Sequence, residues 1–284
     1  MLSRSFLAAY DAVLACWPGP VDCRELPTVH GVTRVNSVGP VDADRPPLVL
    51  LPGGGATSTV WGAAVAAGLA EGRRVHAVDL VGDPGLSVPA PGRTIRSIGD
   101  LVGWLDALLD GLGAAGEGSR VDLLGHSYGA WIAAHYAAHA PHRLDRLVLL
   151  DPTAVFTGFR PGYLLRALPM LLRPTPTRIR RFLEWETGGA QGIDPDWLRL
   201  QEETAHFPSQ RPVTGPRPDP TRLRDLDVLV LFAGRARCHD PHRAAAVAAR
   251  VLPDAVVDVL DGDGVSHHAM PLAAAGPIAA RLAV

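Results

Sequence analysis

The sequence predicts an α/β chain: a mostly parallel central sheet flanked by helices, with a helical cap inserted between two of its strands. Three observations carry that expectation. Short apolar runs recur along the chain, and most are followed by a stretch with helical spacing. The runs are apolar throughout rather than alternating, as strands covered on both faces must be. One long stretch, residues 153–224, breaks the rhythm, and the strand pattern resumes directly after it.

The elements follow in order. Residues 4–16 place Phe6, Leu7, Tyr10, Val13 and Leu14 on one side of a helix. Extended pieces at 22–27 and 31–37 are split near His30-Gly31. "PPLVLLPGGG" reads as a buried strand running into a tight loop, and "RRVHAVDL" as the next strand. Ile95, Ile98, Leu101, Leu105 and Leu108 recur at helical spacing over 94–111. "RVDLLGHS" is a strand, 128–140 a helix that stops before Pro141, and "LDRLVLLDP" a further strand. "DVLVLFAG" and "AVVDVLDG" are the last two, with an Ala-rich helix over 241–252 between them. Residues 1–152 and 225–284 therefore form the core, and 153–224 the cap, with helices near 161–172, 176–187 and 195–206.

Composition narrows the function. At 284 residues, 47% hydrophobic and 20% charged, the chain is long enough to bury a large core. A net charge of −2 gives no polyanion-binding signal, so nucleic acid is not an expected partner. Every one of the 27 basic residues is Arg. The absence of Lys excludes Schiff-base, P-loop and Ser-x-x-Lys chemistry. Three cysteines, Cys16, Cys23 and Cys238, form no CxxC motif and suit a reduced, cytoplasmic setting. Tyr10 and Asp11 interrupt the N-terminal apolar run, which argues against a secretory signal. No run is long enough to span a bilayer, so a membrane is not expected as a partner either. The oligomeric state is left open.

The chemistry centres on "LLGHSYGAW". Ser127 falls between an apolar strand and a helix, flanked by Gly125 and Gly129. A tight strand-to-helix turn of this kind lifts a serine Oγ to the C-terminal edge of a sheet and aims a helix N-terminus at developing negative charge. Oxyanion donors are expected from the N–H of Gly54, in the glycine loop after an earlier strand, and of Tyr128, next to the nucleophile. A general base is expected in "LDGDGVSHHAMP", after the last strand, as His267 or His268. His135 and His139 have i, i+4 spacing, but no Glu follows His135 as a metalloprotease helix would require. No metal and no cofactor are expected. His126, beside the nucleophile, and Trp185, in the cap, are candidate walls of the substrate pocket. Phe156, Phe159, Tyr163, Phe182, Trp197 and Phe207 are expected mostly as cap core, and Arg178, Arg180 and Arg181 as a solvated face.

Taken in chain order, the glycine loop, the GHSYG elbow, the helical insertion and the C-terminal histidine resemble the α/β-hydrolase superfamily over nearly the whole chain. "VDLVGDPGLS" and the Asp-Pro-His helix start at 240–242 are similar to bacterial cap-bearing carboxylesterases. That resemblance implies His267 as the catalytic histidine, although Ser266 stands where many members have Gly. It also implies an acid about three residues past Gly234, where this chain has Arg237. Asp151, at the end of the strand after the elbow, and Asp240, just before Pro241, are the two candidates for the acid. The expected activity is hydrolysis of a small to medium, moderately apolar carboxylic ester through an acyl-serine. The alternatives are a cofactor-free lyase or cyclase, or a homologue that binds ligand without turnover.

Overall fold

The structure, a computed structural model, describes residues 2–114, 119–189 and 193–283; residues 190–192 of the expected cap lie outside the described residues. Every expected strand is present: β1 Asp22–Thr28, β2 Gly31–Val38, β3 Leu48–Leu51, β4 Val75–Val78, β6 Val121–His126, β7 Leu144–Leu150, β8 Asp227–Ala233 and β9 Val256–Leu260. A two-residue strand the sequence pattern missed, β5 Val88–Pro89, pairs with β2. The sheet runs β1-β2-β4-β3-β6-β7-β8-β9. It is parallel from β4 through β9, with an antiparallel β1–β2 hairpin joined to β4 at the other end. β3, β4 and β6 are buried at every residue, which accounts for their unbroken apolar runs.

Chain order reverses around β3, since β4 lies on one side of it and β6 on the other. The loops that leave β3 and β6 therefore meet at the C-terminal edge of the sheet, where open α/β sheets hold their sites. The glycine loop and Ser127 sit on these two loops.

Eight helices of eight residues or more are described: α1 Arg4–Ala15, α2 Ile98–Gly111, α3 Tyr128–His139, α4 Pro161–Leu172, α5 Pro176–Thr187, α6 Pro195–Glu203, α7 Pro241–Val251 and α8 Ala275–Leu282. α2 starts four residues later than its apolar spacing suggests. Ser97 accepts the Asp100 N–H and Asp100 reaches back to the Ser97 N–H, a capping box that fixes the boundary. α6 is shorter than expected because its last turn tightens to a 3-10 turn over Thr204–His206. Trp104, Leu105, Ile132 and Tyr136 fill the core on one face of the sheet; Trp61, Leu50, Met270 and Ile278 fill the other.

Between β7 and β8 the described residues hold α4, α5, α6 and short turns, with no strand. α1 supports this segment from below: Phe6 meets Phe207 at 5.2 Å, and the Ser5 hydroxyl donates to Glu203 at 2.6 Å. Among the described residues no helix is long and apolar enough to cross a membrane.

The elbow depends on two glycines for space. A Cβ on Gly125 would lie 2.3 Å from the Gly129 carbonyl oxygen, and one on Gly129 would lie 2.4 Å from that of Leu51. Both obstacles are backbone, so neither can yield locally. A Cβ on Gly54 would instead meet the Tyr128 side chain at an ordinary 3.6 Å. Gly129→Ala is therefore expected to destabilise the fold by about 3 kcal/mol in urea titration. Gly54→Ala is expected to unfold within about 1 kcal/mol of the parent.

Candidate active site

Ser127 stands at φ 53°, ψ −113°, a conformation that costs a non-glycine residue energy and that the tight turn enforces. Its N–H donates to the Leu150 carbonyl at 3.0 Å, which continues the sheet ladder one step beyond β6. The chain then enters α3, whose first N–H groups have no partner within the helix. Ser127 Oγ lies 2.8 Å from His267 Nε2. His267 Nδ1 lies 2.5 Å from Asp151 Oδ2. The three side chains form one continuous hydrogen-bonded line from a half-buried hydroxyl to a fully buried carboxylate.

Asp151 also has positive φ, at 40°. Its N–H donates to the Leu231 carbonyl at 2.7 Å, so it too leaves the sheet one residue past its strand. Burial by itself pushes a carboxyl group up. Here hydrogen bonds from His239 and His267, and the charges those rings can carry, reverse the effect and hold Asp151 well below the usual carboxylate range. His239 Nε2 donates to Oδ1 at 2.9 Å, and the Ala233 N–H donates to the same oxygen at 3.1 Å. His239 is buried and was not singled out by its position in the sequence.

Asp240 is placed elsewhere. It caps α7 by accepting the Arg243 N–H at 3.0 Å and pairs with Arg160 at 3.1 Å near the surface. The carboxylate on His267 is that of Asp151, not of Asp240, because the Asp-Pro start of α7 commits Asp240 to its own helix. Arg237, at the position where the resemblance implied an acid, turns away and lies 4.9 Å from the centre of the Trp185 ring.

His268 is not on Ser127. Its ring meets Phe182 edge-on at 5.5 Å, and its Nδ1 lies 3.4 Å from Glu186. Glu186 is a residue the sequence reading missed altogether. It projects from α5, is 1% exposed, and accepts from the Ser266 hydroxyl at 2.8 Å, the His267 N–H at 2.9 Å and the His268 N–H at 3.2 Å. Burial pushes its carboxyl up, but the His268 and His267 side chains and the Ser266 hydroxyl outweigh that and bring it down to about 2. A helix of the inserted segment thus grips the backbone of the histidine loop.

His126 supports the same loop from the opposite side. Its Nε2 donates to the His267 carbonyl at 2.8 Å. Burial pushes its imidazole down to about 3, so it is neutral at physiological pH. Its ring fills the space beside Gly53, where an added Cβ would lie 3.0 Å from Nδ1. It was expected in the pocket wall, and is instead a buried brace. Trp185 likewise sits with Arg166, Arg181, Glu184 and Arg237 around an open recess on the inserted helices.

A narrow cleft runs past Tyr128, lined by Leu80, Asp83, Ile95, Trp104, Ile132 and Val213. Gly54 is exposed, and a Cβ on it would lie 3.6 Å from the Tyr128 side chain, so the glycine loop packs against the start of α3. Asp83 stabilises the glycine loop by accepting the Gly55 N–H at 2.9 Å, and burial pushes its carboxyl up to about 6 despite that bond.

Asp151, Cys238 and His239 bring atoms of metal-ligand type within 4.8 Å of one another. Their donors and acceptors are already matched. His239 donates to Asp151, and the Cys238 thiol, which burial pushes well up, is protonated and faces His239 Nδ1 at 3.5 Å. The cluster is a hydrogen-bond network around Asp151, in keeping with the absence of a carboxylate at position 237.

With this fold and this site, the chain belongs to the alpha/beta hydrolase family, which matches residues 48–280. Among individual proteins, it is 30% identical over 191 residues to the carboxylesterase YbfK of Bacillus subtilis, covering 67% of this chain and 60% of that one. It is 26% identical over 270 residues to a Bacillus subtilis protein described as an uncharacterized carboxylesterase, nap, covering 91% of this chain and 85% of that one. The crystal structure of naproxen esterase (carboxylesterase NP) from Bacillus subtilis superposes with a TM-score of 0.86 at 24% identity, covering 100% of this chain and 98% of that one.

The ionised Glu186 makes stability pH-dependent. A group held down to about 2 from an ordinary 4.5 contributes stability that is complete above 4.5 and lost as pH falls toward 2. Glu186→Gln cannot titrate and is expected to be less stable at pH 7 but to lose less on acidification. Urea midpoints measured between pH 7 and 3 check the smaller slope.

Proposed function

We propose that this chain is a carboxylic ester hydrolase that works through an acyl-serine intermediate. The observation that carries the reading is the unbroken line Ser127 Oγ, His267 Nε2, His267 Nδ1, Asp151 Oδ2, at 2.8 Å and 2.5 Å. His267 removes the Ser127 proton as Oγ attacks the ester carbonyl. The negative charge on the carbonyl oxygen is received by the N–H groups of Gly54 and Tyr128, at the N-terminus of α3. His267 then gives the proton to the departing alcohol. Water, deprotonated by the same imidazole, attacks the acyl-serine and releases the acid. Asp151 fixes the tautomer that carries its proton on Nδ1 and stabilises the imidazolium. No step as written calls for a metal or cofactor.

The segment between β7 and β8 acts as the cap in this reading, and Glu186 is its contribution to positioning His267. Leu80, Ile95, Trp104, Ile132 and Val213 in the cleft beside Tyr128, next to Ser127 in the chain, support small to medium, moderately apolar esters as the class to test. The relatives named as carboxylesterases support the ester as substrate class.

A fluorophosphonate is expected to add one adduct per chain by intact mass, on Ser127, and Ser127→Ala is expected to lose both the adduct and p-nitrophenyl ester hydrolysis. Turnover that survives Ser127→Ala would overturn the proposal. Asp151→Asn presents an amide N–H or a weaker acceptor to His267 and so spoils its tautomer. It is expected to lower kcat by on the order of 10³–10⁴ with little change in KM. Asp240→Asn is expected to leave steady-state kinetics within about twofold of the parent.

A further inference from the structure

α4 is apolar on two opposite faces. Its inner face holds the buried Tyr163 and Ala167. Its outer face exposes Leu164, Leu165, Leu168, Leu171 and Leu172, with Leu165 72% and Leu172 71% exposed. The spacing i, i+1, i+4, i+7, i+8 makes these one continuous stripe. Scattered exposed leucines need no explanation, but a contiguous stripe on one helix calls for something to cover it.

Charge indicates what covers it. Residues 160–181 contain six Arg and no Asp or Glu, in a chain whose net charge is −2. Arg160 and Arg180 pair with Asp240 and Glu202. Among the described residues no carboxylate forms an ion pair with Arg166, Arg173, Arg178 or Arg181. Arg178 reaches the carbonyls of Pro169 and Arg173 at 3.3 Å and 2.8 Å, which holds a cation at the C-terminal end of the stripe. A second copy docking through the same face by two-fold symmetry would set these arginines against one another. An anionic amphiphile surface instead meets both features at once, apolar chains for the leucines and negative head groups for the arginines.

We infer that the Leu164–Leu172 stripe on the outer face of α4, with Arg173 at the end of that helix and Arg178 and Arg181 on α5, docks this protein on an anionic lipid surface. This is docking at an interface, not insertion of a spanning segment, so the lack of a spanning helix among the described residues does not bear on it. The helix that carries the face is linked to the candidate site through two ring contacts. Tyr163 on the inner side of α4 meets Phe182 at 5.6 Å, and Phe182 meets His268 at 5.5 Å. Docking would present that end of the molecule to the lipid. The inference does not depend on the reaction proposed above.

The test is co-sedimentation of the full chain with phosphatidylglycerol vesicles and with phosphatidylcholine vesicles. The expected result is a bound fraction at least about tenfold larger on phosphatidylglycerol at low ionic strength, falling as salt screens the head groups. Leu165→Ser, Leu168→Ser and Leu172→Ser combined are expected to abolish binding with the thermal midpoint unchanged, because all three side chains face solvent. Arg173→Glu with Arg181→Glu is expected to remove the preference for phosphatidylglycerol. Equal or absent binding to the two vesicle types would overturn the inference. So would binding that both variants retain, or a dimer in solution that the leucine variant converts to monomer.

Discussion

The common level at which β6 and β7 end, beside a β8 that runs on to Ala233, governs the rest of the site. His126 is in register with Leu150, and Leu150 with Leu231. The next N–H on each of the first two strands, that of Ser127 and that of Asp151, still reaches a carbonyl on the neighbouring strand before the chain turns away. Both residues turn at positive φ. Two non-glycine residues in such conformations cost on the order of 1–3 kcal/mol each, and only a ladder fixed on both sides can impose them side by side. In return, a hydroxyl and a carboxylate leave adjacent strands at one sheet edge, with room between them for a single imidazole.

That placement brings further requirements. A carboxylate buried at the end of a central strand must find donors, because burial without them would drive it to protonate. His239 and the Ala233 N–H supply them, from β8 and the loop that follows it. The same loop carries Arg237 where an acid would otherwise stand, and Arg237 is free to rest on Trp185. The unexpected residue at 237 and the acid at 151 are thus two sides of one arrangement: once Asp151 holds the histidine, the loop after β8 contributes hydrogen-bond donors instead of charge.

Much of this was legible in the sequence. The buried parallel strands, the glycine loop, the elbow and the inserted helices each have a local signal of apolar period, glycine placement or capping. Asp151 and Asp240 could be named but not separated, since each has a credible local role at the end of a strand or the start of a helix. The deciding facts are contacts across the chain, and a local pattern does not carry them. His239 lies 88 residues from Asp151, and Glu186 lies 81 from His267. Glu186 is also disguised by its surroundings: within "RFLEWET" it reads as one more solvated acid on a cap helix. His126 is adjacent to Ser127 in sequence, but it ends a buried strand and its ring braces the His267 carbonyl.

Glu186 changes what the inserted helices do. A cap that merely covered a cleft could shift at little cost. Here α5 carries a buried carboxylate whose acceptor capacity is taken up by the Ser266–His268 segment. Moving α5 away would strip that carboxylate of its donors, and an unpartnered buried charge is among the most costly groups a protein can hold. It would also leave the His267 N–H without its acceptor, with the residue held only by Asp151 and Ser127 on its ring and by His126 on its carbonyl. The position of the inserted helices and the position of the imidazole are therefore one energetic unit. Within the inserted segment, α4 is only two ring contacts from His268, by way of Tyr163 and Phe182.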